Sequence, residues 1–167
     1  MRRTLYARLG IVLLILFCLV GVLLFTIVRF STELYQQEVT QKLNRDLAAH
    51  AIAEKPLLKD KRVNQEALKG LFNSMMLINP SIEVYLLDAQ GGILAFSAPP
   101  GKVQRTRVDL GPVNALMTNA VTLPILGDDP RNPNGKKIFS VAAIPDTQHV
   151  EGYLYIILGG QEYEGVV

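Results

Sequence analysis

The chain has 167 residues, is 49% hydrophobic, and carries 17 basic and 15 acidic residues for a formal net charge of +2. That length holds one membrane-spanning helix and one modest domain of roughly 100–150 residues, which excludes a second large domain. The nearly balanced charge lacks the concentrated basic face that nucleic-acid binding requires, and the lone cysteine, Cys18, permits neither an internal disulfide nor a cysteine-based metal site.

The first element is an apolar run. From Leu9 to Val28 the sequence LGIVLLILFCLVGVLLFTIV contains no charge, and as a helix it would span about 30 Å of hydrocarbon. A cleaved signal peptide has a shorter apolar region, roughly 7–15 residues, followed by a small-x-small cleavage site. Here Arg29-Phe30-Ser31-Thr32 follows instead, so an uncleaved anchor is expected. Arg2, Arg3 and Arg8 precede the run, whereas Arg29 is soon followed by Glu33 and Glu38. The positive-inside bias therefore predicts residues 1–8 in the cytoplasm, residues 9–28 in the membrane and Ser31 onward outside it.

Residues 29–55 carry no glycine or proline, and Tyr35, Val39, Leu43, Leu47 and Ala51 recur every four residues. This predicts a juxtamembrane helix continuing from the membrane. Its apolar stripe drifts around the helix and keeps no heptad seam, so it serves either packing against the chain's own domain or a dimer contact. The segment KPLLKDKRV reads as a connector, after which Asn64 is placed to cap a second helix with Leu68, Leu71, Phe72, Met75 and Met76 on its apolar face. Such a stripe at helical spacing is core far more often than a cofactor box. Asn79-Pro80 ends this helix, because the residue before proline is pushed out of helical geometry.

Two β-rich runs, Ile82–Leu87 and Ile93–Ser97, flank the turn signal Asp88-Ala89-Gln90-Gly91-Gly92 and predict an antiparallel hairpin. Pro99-Pro100-Gly101 breaks it. Gly111-Pro112 followed by VNALMTN predicts a short helix, and DDPRNPNG from Asp128 to Gly135 is a dense turn cluster. Lys136–Ile144 and Gly152–Leu158 read as two further strands. The expected fold class is α+β: an N-terminal transmembrane helix continuing into a long helix, then over residues 56–167 a central antiparallel sheet flanked by helices.

The segments EVYLLDAQGGILAFSAPP, LGDDPRNPNGKKIFSVAAI and GYLYIILGGQEY, together with the membrane run and LNRDLAAHAI, resemble the N-terminal region of bacterial sensor histidine kinases, whose extracytoplasmic part is a PAS-like (Cache or PDC) domain. The resemblance implies a domain that answers a ligand or stress outside the cytoplasm. In that family a second transmembrane helix, a HAMP linker and a kinase core follow, and the present sequence ends at Val167, near where the second membrane helix is expected.

Catalytic motifs are faint. His50-Ala51-Ile52-Ala53-Glu54-Lys55-Pro56 imitates a phospho-accepting histidine, but the acid directly after the histidine is missing and the proline is one place late. An ordinary helix residue is the plainer reading of His50. Neither G-x-x-x-x-G-K-[ST] nor G-x-G-x-x-G occurs. Asp128, Asp129, Asn132 and Asn134 offer oxygen ligands for Ca²⁺, but Pro130 and Pro133 break the loop spacing such a site needs, and the isolated His50 and His149 suggest no zinc site. No cofactor is expected. A ligand pocket on one sheet face remains: strand alternation sets Tyr85 with Glu83 and Leu87, and Tyr153 with Tyr155, while Arg105 and Arg107 are placed to meet an anion. Tyr85, Arg105, Arg107, Tyr153 and Tyr155 are thus the candidate ligand-binding residues, against the alternative of tyrosines packed at the sheet and arginines in solvent.

The expected function is the signal-sensing input region of a membrane-bound two-component sensor histidine kinase, itself without enzymatic activity. Its expected place is the inner membrane with a periplasmic domain, and its expected partners are the membrane, a small-molecule ligand and a second copy docked through the membrane and juxtamembrane helices. The competing expectation is a membrane-anchored periplasmic interaction protein without signalling output.

Overall fold

The computed structural model describes residues 2–53, 57–59, 62–79, 81–97, 101–118 and 121–159. Expectations placed on Glu54–Pro56, Asp60–Lys61, Pro80, Pro99–Pro100 and residues 160–167, and on the side chain of Met76, lie outside the described residues. The chain forms two compact units, Met1–Gln37 and Glu38–Val167.

The first unit is helical: it holds most of helix α1 (Arg2–Leu43), whose last residues belong to the second unit. Leu13, Phe17, Leu24 and Phe25 are all more than half exposed, like every large apolar residue from Tyr6 to Phe30 except Val20. An apolar helix of this length is either buried in a core or immersed in lipid. Here none of the apolar window is buried, and the helix is long and apolar enough to cross a membrane. The hydroxyl of Thr26 donates to the carbonyl of Val22 at 2.8 Å, so it needs no outside partner in an apolar surround.

In the second unit α1 ends at Leu43, and after a turn at 44–46 a short helix α2 follows (Leu47–Ala53). The sequence predicts an unbroken helix here. The break arises because a side chain from a distant strand replaces intrahelical partners: the hydroxyl of Ser140 donates to the carbonyl of Arg45 at 2.7 Å and accepts from the amide of Ala48 at 3.1 Å. The presumed connector contains a minimal hairpin, β1 (Leu58–Lys59) with β2 (Arg62–Val63). Two residues per strand are too few for any periodicity to register. Helix α3 (Gln65–Ile78) starts where expected, with the side-chain oxygen of Asn64 accepting from the Ala67 amide.

The sheet is five-stranded and antiparallel. Its strands are β3 (Glu83–Asp88), β4 (Ile93–Phe96), β5 (Leu126–Asp128), β6 (Lys136–Pro145) and β7 (Val150–Ile157), in the order β4-β3-β7-β6-β5. Both faces are covered. Val84, Leu86, Ala142, Leu154 and Ile156 pack with residues of α2 and α3 on one side. Tyr85, Leu87, Phe139, Tyr153, Tyr155 and Ile157 pack on the other, with Val113 and Leu116 of helix α4 (Leu110–Met117). Burial on both faces explains why β7 reads as a continuous apolar run with no polar alternation.

The hairpin turn between β3 and β4 is held by Asp88. Its carbonyl accepts from the Gly91 amide at 3.1 Å, and its carboxylate accepts from the amides of Gln90 and Gly92 at 2.8 and 2.7 Å. Gly91 has φ of +84°, and an added Cβ would lie 2.4 Å from the carbonyl of Val108. Left-handed geometry and steric exclusion both demand glycine here. Gly91→Val should therefore destabilise the domain by at least about 1–2 kcal/mol, whereas Gln104→Val at an exposed position should cost little. Equal urea midpoints for the two variants would place the chain reversal elsewhere.

Candidate functional site

Polar residues converge where the second sheet face meets the 101–109 loop and the 129–135 turn. The turn folds locally through its own side chains: the Asp129 carboxylate accepts from the Arg131 amide at 2.9 Å and the Asn132 side chain from the Asn134 amide at 3.0 Å. Such Asx geometry is what a DDPRNPNG sequence favours. It carries Arg131 towards the start of β3, where its guanidinium meets Glu83 at 2.5 Å. The other oxygen of Glu83 accepts from the Tyr85 hydroxyl at 2.6 Å.

Asp128, at the end of β5, faces Arg105 at 3.1 Å and Lys136 at 3.5 Å, and accepts from the Asp109 amide at 3.0 Å. Asp129 faces Lys137 at 3.4 Å. Glu83, Asp128 and Asp129 are all buried, with 4 to 6% of their surface exposed. Unpaired, each would carry a large desolvation cost, so the four surrounding cations are a condition of burying them.

The candidate tyrosines turn inward. Tyr85 and Tyr155 are completely buried and Tyr153 nearly so, and Tyr155 stacks on Phe139 with ring centroids 4.8 Å apart. The Tyr155 hydroxyl donates to the carbonyl of Asp128 at 2.9 Å. Gly127 makes room for it, since a Cβ there would lie 2.3 Å from the hydroxyl oxygen. Burial, reinforced by the hydrogen bond and charge of Glu83, pushes the Tyr85 phenol far above its ordinary range. Burial, with the charges of Asp128 and Asp129, does the same for Tyr155. Both therefore stay neutral hydrogen-bond donors. The hydrogen bond to Glu83 likewise raises Arg131.

The structure thus brings Tyr85, Tyr153 and Tyr155 onto one face, as alternation predicts, and Arg105 to its margin. The rings fill that face, and Arg105 is already engaged with Asp128 and with the carbonyls of Asn132 and Pro133. Arg107 lies apart from them, exposed, donating to the carbonyl of Gln90 at 2.9 Å. Among the described residues, every buried side-chain nitrogen and oxygen has a partner, and no three His, Cys, Asp or Glu side chains converge as metal ligands.

Open space occurs elsewhere, as a groove of about 660 Å³ between α2 and α4. Ala49 and Ile52 form one wall, Leu116 and Met117 the other, Val141–Ala143 of β6 lie between them, and Arg45, Asp46 and Asp146 contribute charge. None of the five sequence candidates lines it.

Beside the groove three side chains tie the end of α1 and the turn after it to the sheet and to α4. Gln41 is wholly buried. Its amide nitrogen donates to the carbonyls of Ile125 and Phe139 at 2.9 and 3.0 Å, and its oxygen accepts from the Ile125 amide at 2.8 Å. Ser140 holds the turn at Arg45, and the Arg45 guanidinium donates to the carbonyl of Leu116 at 2.8 Å. Sequence reasoning missed all three. In the polar stretch QQEVTQK nothing distinguishes Gln41 from Gln36 and Gln37, because its role depends on Ile125 and Phe139, more than 80 residues away. Comparison with known proteins finds no family model, no curated protein and no solved structure that matches the chain.

Proposed function

We propose that this chain is the sensory input region of a membrane-bound receptor of the two-component type, with residues 1–8 in the cytoplasm and a PAS-like (Cache or PDC) domain outside it. It has no enzymatic activity of its own in this reading. The observation that carries the proposal is the attachment of Gln41. The helix that holds the apolar span is the helix whose last turn is hydrogen-bonded to β6 and to the residue that precedes β5. A rearrangement of the sheet would therefore move Gln41 or break its bonds, and in this reading that link passes a change in the domain to the helix. Tyr35 and Leu43 stay exposed, at 67% and 80%, and in this reading they meet the same residues of a second copy.

The reading is tested in intact cells. An alkaline phosphatase fused after Val167 should be active, because that enzyme matures only outside the cytoplasm, and Tyr35→Cys or Leu43→Cys in a Cys18→Ser background should form a disulfide-linked dimer in membranes. Activity of only a cytoplasmic reporter would overturn the orientation, and absence of cross-linking at both positions would overturn the dimer. A second reading, an anchored interaction protein without signalling output, is favoured by the open groove beside β6.

A further inference from the structure

Strand parity fixes which backbone groups of β6 look away from the sheet. Leu158 donates to the carbonyl of Ile138 at 3.0 Å, so even-numbered residues of β6 bond β7. Odd-numbered residues face the opposite edge, as the pairing of Lys137 with Gly127 of β5 and the bond from Gln41 to the Phe139 carbonyl show. Strand β5 covers this edge only as far as Leu126, opposite Ile138, and the Gln41 amide takes the next position. Beyond it, at Val141 and Ala143, no described residue bonds the outward amides and carbonyls. Pro145, with no N–H, ends the edge.

Two N–H and two C=O groups, at the spacing of alternate strand residues, thus face the groove of about 660 Å³. Unpaired donors and acceptors along an uncovered strand edge are a template for pairing with another chain. The ligand whose chemistry matches this repeat is another backbone in extended conformation.

We propose that the β6 edge at Val141–Ala143 binds an extended peptide segment of another protein by strand addition. A strand laid there projects alternate side chains to either side, towards Ala49 and Ile52 of α2 and towards Leu116 and Met117 of α4. Both walls are apolar, and Ala49 contributes only a methyl group to its wall. Of the charged groups lining the groove, the Arg45 guanidinium is engaged by the Leu116 carbonyl, and one oxygen of Asp146 accepts from the amides of Gln148 and His149, which leaves its other oxygen and the exposed Asp46 carboxylate to meet a cation. His149 sits 3.6 Å from the Asp146 carboxylate. The preferred segment therefore carries a basic residue beside apolar ones and lacks proline at the pairing positions. A second copy approaching edge to edge does not fit, because Val141, Ala142 and Ala143 are recessed between the two helices, with no more than 9% of their surface exposed. The proposal is independent of the receptor reading.

The test uses the full chain, isotope-labelled in detergent micelles, and the hexapeptide Ac-KVTVAV-NH2. Saturating peptide should slow amide exchange at Val141 and Ala143 at least tenfold while leaving Ala142 and Ile144, already bonded to β7, unchanged. Methylating the peptide nitrogens on the pairing side should weaken binding at least tenfold, and methylating the alternate nitrogens should not. Ala49→Trp, at an exposed helix position, should fill the groove and abolish binding with the fold intact. Unchanged exchange at Val141 and Ala143 at millimolar peptide would overturn the proposal. So would equal binding of both methylated peptides, or exclusive uptake of small molecules by the groove.

Discussion

Gln41→Leu is expected to lower the stability of the domain by about 3–5 kcal/mol, although leucine matches the length of the apolar stem. The glutamine amide satisfies three backbone groups, the N–H and C=O of Ile125 and the C=O of Phe139, at 2.8 to 3.0 Å in a completely buried position. Each such group left buried without a partner costs about 1–3 kcal/mol, and the extra apolar burial of leucine offsets only part of that. Gln41→Glu should be no better, since a carboxylate would face two carbonyl oxygens. Gln36→Leu, one and a half turns earlier at an exposed position, should change stability by less than about 0.5 kcal/mol. Denaturant midpoints of the full chain in detergent, read from tyrosine fluorescence, compare the three variants. A Gln41→Leu midpoint matching that of Gln36→Leu would mean that the amide does not hold the end of α1. In the receptor reading proposed above the loss should also reach the pairing of two copies: cross-linking of Leu43→Cys should change when Gln41→Leu is added, because the last turn of α1 is then no longer fixed.

The legible parts of the fold are those where local chemistry and tertiary structure agree. Asn64 caps α3, Asp88 and Gly91 build the hairpin turn, and the apolar runs of β6 and β7 occur within a residue or two of their expected bounds. In each case the residues that decide the structure are neighbours in sequence. The illegible parts are decided at long range. Strand β5 is three residues long, carries a glycine at its centre, and exists because it pairs with Lys136–Ile138. The break after α1 depends on Ser140, about 95 residues away. The same division runs through the site. Alternation rightly sets Tyr85, Tyr153 and Tyr155 on one face, but whether such a face is a pocket or a core depends on what covers it. Here Val108, Val113, Leu116 and Ile125 do. The cavity instead opens at a strand edge, and an edge has no signature in residue alternation, since alternation reports faces.

Arg131→Met should cost about 3–5 kcal/mol, the usual result of removing one partner from a buried ion pair. The methionine stem keeps the packing of the arginine side chain, so what is lost is mainly charge. Glu83, with 4% of its surface exposed, is left with the Tyr85 hydroxyl and without the guanidinium 2.5 Å away. The double variant Arg131→Met/Glu83→Gln should recover much of the loss. The glutamine carbonyl can still accept from Tyr85, and no uncompensated charge remains. A double-mutant cycle should therefore give a coupling of about 2–3 kcal/mol, at the upper end for residues in direct contact. Exposed pairs give about 0.2–1 kcal/mol and would be further reduced by salt. The size of the coupling separates two roles for this cluster. A large, salt-insensitive value means that Arg131 is committed to Glu83, leaving the network to hold β3 against the 129–135 turn. A coupling below about 0.5 kcal/mol would mean that the guanidinium is held loosely, and an anionic ligand at this margin of the sheet would then displace the Glu83 carboxylate at little energetic cost.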